Sequence, residues 1–324
     1  MEVQTKKRMQ IFTGRGHPDL AQEVVDHLGM KLGDIELHEF ANGEIYCRYQ
    51  ENVRGSDVFV LQTHTRPVNE TIMEQLIMIE AAKRASAKRI IAVVPFYGYA
   101  RQDKKARSRE PITAKLLADM LQVAGADRVV SVDLHTGQIQ GFFDKPLDHL
   151  TALPLLVGWL LGEFAEQELV IASPDAGRVR LAEKFQSRLP NASIAFLAKT
   201  RTAHNVAKTL AVVGDVEGKT CVLVDDMIDT AGTICGAAEA LIERGAADVY
   251  VCATHPVLSD PACERLAAAP IKKVVVTNTL PLPAQCRDLA KIEVVSIAPI
   301  VASTMKAIFE DESVSELFDD QNQN

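Results

Sequence analysis

The sequence predicts an α/β chain of two domains built on mainly parallel sheets. A length of 324 residues is the first sign, too long for one comfortable core and suited to two. The second is an alternation of short β-branched runs with longer helical patterns. The third is an internal echo. Displaced by 120 residues, "TAKLLADMLQVAGADRVVSVDLH" (113–135) lies without a gap over "TICGAAEALIERGAADVYVCATH" (233–255). Each copy reads as a helix, a Gly-Ala stop and a strand ending in His. That is the pattern expected of a duplicated domain.

The strands follow in order as "DVFVLQT" (57–63), "RIIAVVP" (89–95), "RVVSVDL" (128–134), "ELVIAS" (168–173), "CVLVDD" (221–226), "DVYVCAT" (248–254) and "KKVVVTN" (272–278). Most are continuously apolar, as strands buried on both faces are. Helical patterns lie between them over 69–84, 113–123 and 233–244. The apolar segment 150–161 holds Pro154 and Gly158, is too short to span a bilayer and reads as a core helix. The domains are expected at 1–150 and 151–324, divided after the turn containing Pro146.

A formal net charge of -8 argues against nucleic acid and acidic membrane surfaces as partners. It leaves room for a small anion on a local basic patch. The N-terminus lacks the apolar run of a signal peptide, so a cytoplasmic protein is expected. The cysteines, Cys47, Cys221, Cys235, Cys252, Cys263 and Cys286, form no C-x-x-C pair and are expected as free thiols.

Chemistry concentrates at strand ends, where ligands of open parallel sheets bind. In "CVLVDDMIDTAGT" (221–233), Asp225 and Asp226 close a strand. Asp229, Thr230, Ala231, Gly232 and Thr233 then form a small-residue turn into a helix. Backbone N–H groups at such a turn cradle phosphate, and carboxylates accept from sugar hydroxyls. Together they ask for a sugar phosphate. "GDVEGKT" (214–220) imitates a phosphate-binding loop, but its Lys-Thr precedes a strand and its first Gly is misplaced.

The segment "PFYGYARQDKKARSREPITAK" (95–115) gathers Arg101, Lys104, Lys105, Arg107, Arg109 and Lys115 behind three aromatics. Such a cluster in an acidic chain suits a polyphosphate. His135 in "VDLHTGQIQGFF" and Asp175 in "IASPDAGRVR" stand at two further strand ends. A carboxylate at Asp175 suits Mg²⁺. Lys199 and Arg201 in "FLAKTRTAHN" place two cations on what reads as a mobile loop.

In combination these segments resemble the ribose-phosphate pyrophosphokinase family, also called phosphoribosyl pyrophosphate synthetases. "FTGRGHPDLA", "FANGEI", "VRGSDVFVLQ", "SVDLHTGQIQGFFDKPLDHL" and "THPVLS" extend the likeness nearly end to end. The resemblance implies two tandem phosphoribosyltransferase-type (Rossmann-like) domains. It implies transfer of the pyrophosphoryl group of ATP to the 1-hydroxyl of ribose 5-phosphate, giving phosphoribosyl pyrophosphate and AMP, with Mg²⁺ as cofactor.

By the same resemblance Lys199 and Arg201 are catalytic. Phe40, Asn42, Gly43, Glu44, Arg101, Gln102 and His135 bind ATP, the "FANGE" residues being lent by a neighbouring subunit. Asp225, Asp226 and Asp229 to Thr233 bind ribose 5-phosphate, and His135 and Asp175 serve the metal. Arg54, Ser86, Arg109, Ser313 and Phe318 match an anion site between subunits, with phosphate and ADP as effectors and a homo-hexamer as the assembly. The segment 173–185 departs from the family's Gly-Gly-Val form and leaves Arg178 and Arg180 without a role. A phosphoribosyltransferase or a catalytically silent homologue would lack the basic segment, "FANGE", or Lys199 and Arg201, all of which are present.

Overall fold

In the computed structural model the described residues are 7–165, 167–200 and 209–318. They form two compact units. The first holds the described residues up to Thr151, then Thr279–Pro281 and those from Ser296 onward. The second holds those of Ala152–Asn278 and Leu282–Val295.

In the first unit, strands β1 (Met9–Thr13), β4 (Asp57–Leu61), β5 (Arg89–Val94), β6 (Arg128–Val132) and β7 (Leu147–Leu150) make one parallel sheet in that order. Its winding runs one way, without reversal. Helices α1 (Pro18–Leu28), α2 (Val68–Arg84) and α3 (Thr113–Ala124) connect the strands. An antiparallel ribbon, β2 (Ile35–Glu39) with β3 (Ile45–Tyr49), stands apart from this sheet.

The second unit begins with α4 (Leu153–Phe164), the expected core helix. Its sheet runs β10 (Thr209–Val213), β9 (Ala192–Thr200), β8 (Leu169–Ser173), β11 (Thr220–Ile228), β12 (Asp248–Pro256), β13 (Lys273–Thr277) and β14 (Ile292–Val295). All pairings are parallel except β9 with β10. Helices α5 (Val179–Gln186), α6 (Gly232–Glu243), α7 (Ala262–Ala268) and α8 (Ala284–Arg287) complete the unit.

Successive residues of β8 face opposite cores, as the two-residue strand period requires. Leu169 and Ile171 join Leu156, Leu160 and Phe185; Val170 and Ala172 join Ile234, Leu241 and Leu266. Burial on both faces explains why these strands read as unbroken apolar runs. Each fully buried Val or Leu contributes roughly 1.5–3 kcal/mol.

The repeat is visible as α3–β6 and α6–β12, whose starts keep the 120-residue spacing within a residue. The connections before them differ. Between β5 and α3 stand residues 95–112, most of the basic segment, whereas β11 and α6 are separated by the short turn 229–231.

The domain boundary near 150 meets the end of the first continuous stretch, but the C-terminal residues do not stay with the second half. Helix α9 (Ala298–Glu310) packs on α1. Val301, Met305 and Ile308, spaced as one helical face, are buried. Past α9, Asp311 pairs with Lys7 at 2.6 Å and Arg89 at 2.8 Å, and Arg89 also pairs with buried Asp57 at 2.5 Å.

Cys263 and Cys286 form a disulfide, contrary to the expectation of free thiols. Their Cα atoms lie 5.5 Å apart, a separation the sequence distance of 23 residues does not reveal. No described helix is long and apolar enough to cross a membrane.

Candidate active site

In the second unit the chain runs from β8 outward to β9 and then returns to β11 on the other side of β8. The neighbours β8 and β11 therefore flank a topological switch point, where a crevice opens beyond the strand ends. Pairing with β8 covers only Thr220 to Leu223 of β11, while β11 runs on to Ile228 beside β12. Asp225 and Asp226 lie in that unpaired-on-one-side extension, within the strand rather than at its end.

The turn behind them is built as the small residues require. Ala231 adopts φ 59°, the left-handed region, with its side chain buried. Thr230, Gly232 and Thr233 are exposed. Helix α6 starts at Gly232, and its N-cap residue Ala231 carries no polar side chain to bond the first N–H groups. A helix start of this kind carries partial positive charge, which suits an anion.

The acids already hold a cation. After β8, Asp175 accepts from the Gly177 N–H at 2.8 Å and caps a single 3-10 turn over Ala176–Arg178. That turn aims Arg178, whose Nε lies 2.9 Å from Asp225 Oδ1 and whose Nη2 lies 2.7 Å from Asp226 Oδ1. Burial and the adjoining Asp226 push the Asp225 carboxyl up to about 8, against the pull of Arg178. Arg178, which no motif explained, is thus a direct partner of the carboxylate pair. A cation three residues past a strand-end Asp was the available signal.

Lys199 falls within β9, its backbone in register with Leu210 of β10, so it sits in a hairpin strand and not in the expected loop. Arg201 lies outside the described residues.

In the first unit the expected ATP segments gather beyond the ends of β5 and β6. Buried Asp103, next to Arg101 and Gln102, accepts from Thr136 Oγ1 and Gln138 Nε2, each at 2.7 Å. This ties the basic segment to the turn carrying His135. Tyr97 donates to the Ala114 carbonyl at 2.9 Å, closing the segment onto α3. At its start, the Gly98 N–H donates to His64 Nδ1 at 2.9 Å. That places the proton on Nε2, which donates to Gln75 Oε1 at 2.9 Å. Complete burial holds this imidazole down to about 4, so it is neutral.

The residues "FANGE" cap the β2–β3 ribbon. The turn closes through Phe40 N–H to Glu44 O and Gly43 N–H to Phe40 O, both at 2.8 Å, with Gly43 at φ 86°. The Asn42 side chain accepts from the Glu44 N–H at 3.2 Å. Phe40 is 51% exposed and meets His38 and Tyr46 edge to face. An exposed aromatic on a projecting ribbon is available to a planar base.

Of the expected anion-site residues, Arg54 and Ser86 stand together before the sheet, where the Gly55 N–H donates to the Ser86 carbonyl at 2.9 Å. Ser313 follows Asp311, which binds Arg89 at the start of β5. Arg109 lies beyond the other end of β5, on the segment leading to α3. Arg54 and Ser86 thus precede β5 in the chain, and Arg109 follows it. At Phe318 only the backbone is described. His135 belongs to the first unit and Asp175 to the second.

Two α/β units with mostly parallel sheets, the second with a switch point between β8 and β11, are consistent with tandem phosphoribosyltransferase-type domains. Residues 9–125 match the N-terminal domain of ribose phosphate pyrophosphokinase, and residues 177–319 match the phosphoribosyl synthetase-associated domain. Ribose-phosphate pyrophosphokinase of Streptomyces avermitilis is 55% identical over 98% of both chains. That of Mycobacterium leprae is 54% identical over 97% of this chain and 96% of its own. The crystal structure of phosphoribosylpyrophosphate synthetase from Mycobacterium smegmatis, 54% identical, superposes with a TM-score of 0.90 over 94% of this chain and 100% of that one. The chain belongs to the ribose-phosphate pyrophosphokinase family. Membership implies use of Mg²⁺, although among the described residues no group of three or more His, Cys, Asp or Glu side chains is gathered to hold an ion.

Proposed function

We propose that this protein transfers the pyrophosphoryl group of ATP to the 1-hydroxyl of ribose 5-phosphate, forming phosphoribosyl pyrophosphate and AMP. The observation that carries this reading is the switch-point crevice, where Asp225 and Asp226 adjoin the open turn 229–233. The turn takes the 5-phosphate on its N–H groups, and the carboxylates accept from ring hydroxyls.

Phe40 offers its face to adenine, and Arg101, Gln102 and His135 serve the phosphates. Lys199 and Arg201 neutralise charge as it spreads over the transferred group and the AMP leaving oxygen. The 1-hydroxyl oxygen attacks the β-phosphorus of ATP, the bond from that phosphorus to the bridging α-phosphate oxygen breaks, AMP leaves with that oxygen, and the hydroxyl proton is released to solvent.

Mg²⁺ fits a carboxylate and substrate phosphates, since it is commonly held by one or two carboxylates with phosphate oxygens and water. Asp175 supplies a hard oxygen donor of that kind. His135 supplies a nitrogen better suited to phosphate or bound water. When bound, the ion neutralises phosphate charge. The exposed ribbon tip fits a residue set lent to a neighbour in a homo-hexamer, and Arg54, Ser86, Arg109, Ser313 and Phe318 are read as an effector site shared between copies. Phosphate and ADP are the effectors of that reading, and the cytoplasm is its compartment.

The test is AMP formation in the presence of Mg²⁺, with ATP and ribose 5-phosphate supplied together and separately. AMP is expected only with both. AMP without the sugar, or none with it, overturns the reading.

A further inference from the structure

The turn 229–233 is braced from outside by a residue in no ligand-binding motif. Arg265 projects from α7, is exposed, and donates from Nη1 to the Thr230 carbonyl at 2.8 Å. The missing side chain at Gly232 leaves room for it, because a Cβ there would stand 3.3 Å from the same Nη1. Helix α7 is a fixed platform for this contact. Cys263 joins it to Cys286 by the disulfide, and Leu266 is fully buried. The Lys291 ammonium donates to the carbonyls of Leu266, Ala267 and Ala269 at 3.3, 2.9 and 2.8 Å, closing the helix's far end.

Peptide geometry gives the contact its consequence. In a trans peptide the C=O and the following N–H point in opposite directions. A Thr230 carbonyl held toward Arg265 therefore turns the Ala231 N–H away from α7. This orientation is not the one Ala231 would choose. Its φ of 59° is unfavourable for a residue with a Cβ. Rotating the 230–231 peptide by half a turn carries φ of Ala231 into the negative region. The same rotation replaces the presented N–H by a carbonyl oxygen, which repels phosphate.

We propose that Arg265 is a positioning residue for ribose 5-phosphate: it holds the strained 230–231 peptide in the orientation that offers the Ala231 N–H to the 5-phosphate. This rests on the reading of 229–233 as the phosphate turn. Arg265 touches no substrate and acts through the peptide, so its loss weakens sugar-phosphate binding and spares the chemical step.

The test is steady-state kinetics on the full-length enzyme carrying Arg265→Ala, Arg265→Lys, Arg265→Ala with Ala231→Gly, or Thr233→Val. Loss of one charge-assisted hydrogen bond on an exposed turn predicts a rise of roughly five- to tenfold in KM for ribose 5-phosphate for Arg265→Ala. Its kcat and KM for ATP should stay within about twofold, a split expected when binding is lost equally in the ground and transition states. Arg265→Lys should restore part of the affinity. Adding Ala231→Gly should restore part as well, because Gly adopts positive φ without the Cβ penalty. A purely structural role for Arg265 predicts neither rescue, and loss of kcat together with melting temperature in Arg265→Ala would overturn the proposal. If Thr233→Val raises KM for the sugar and Arg265→Ala does not, the phosphate turn stands and the role of Arg265 falls. If neither variant changes it, both readings fall.

Discussion

Replacing Arg178 by Gln removes the guanidinium that spans both carboxylates of the crevice, 2.9 Å from Asp225 Oδ1 and 2.7 Å from Asp226 Oδ1. The side chains are 20%, 15% and 8% exposed, so solvent screens the pairing little. Burial first, and Asp226 second, push Asp225 up to about 8 while Arg178 opposes them. On the scale of contacts to charged groups, losing this close ion pair costs about 1.5–3 kcal/mol. At about 1.36 kcal/mol per pH unit, the acid pair then keeps its proton about one to two pH units higher.

The sign follows from the direction of the shift. A carboxyl whose pKa is raised is neutral below that pKa, and a neutral carboxyl is a poorer acceptor for a sugar hydroxyl. For the parent enzyme, KM for ribose 5-phosphate should fall as pH rises through about 8. In Arg178→Gln that limb should move upward, raising KM about ten- to a hundredfold at neutral pH. The two profiles should converge at alkaline pH. The assay is initial-rate AMP formation across pH 6.5 to 10, with ATP saturating. A KM equal to or below the parent's at neutral pH would show that Arg178 merely competes with the sugar. An offset independent of pH would refute the protonation argument.

Lys199→Ala combined with Arg201→Ala should abolish AMP formation while calorimetry still detects ribose 5-phosphate; near-normal turnover rejects their catalytic role. His64, held down to about 4 by burial, stays neutral while the unfolded chain protonates near 6.5. Its contribution to stability is therefore full above 6.5 and is lost as pH falls toward 4, by about 3 kcal/mol. Urea midpoints of His64→Gln should lose that part of the pH dependence. Arg89→Ala should strand the fully buried Asp57 carboxylate and destabilise the chain by about 3 kcal/mol, read as a lower urea midpoint.

The turn 229–231 was legible because its signal is local. Small residues between the acids of a strand and a helix mark a short strand-to-helix turn, and one is found between β11 and α6. The buried strands were legible because two-faced burial removes polar residues from them. Arg178 and Arg265 were not legible in the same way. Each earns its place by meeting a group from another element: Arg178 reaches β11 from the turn after β8, and Arg265 reaches the turn before α6 from α7. An Arg on a surface helix reads the same whether it faces water or a strained peptide. Lys199 read as loop because a polar stretch follows it, whereas pairing with β10 keeps it in a strand.

The sequence by itself determined the α/β alternation, the 120-residue echo and the short turn that follows the acids, since each depends on residues close along the chain. Only the tertiary structure decided that β8 and β11 flank the switch point, that α9 joins the first unit and that Cys263 meets Cys286. Periodicity states which face of an element is buried but not which neighbour buries it. The neighbour is chosen by the packing of the whole chain.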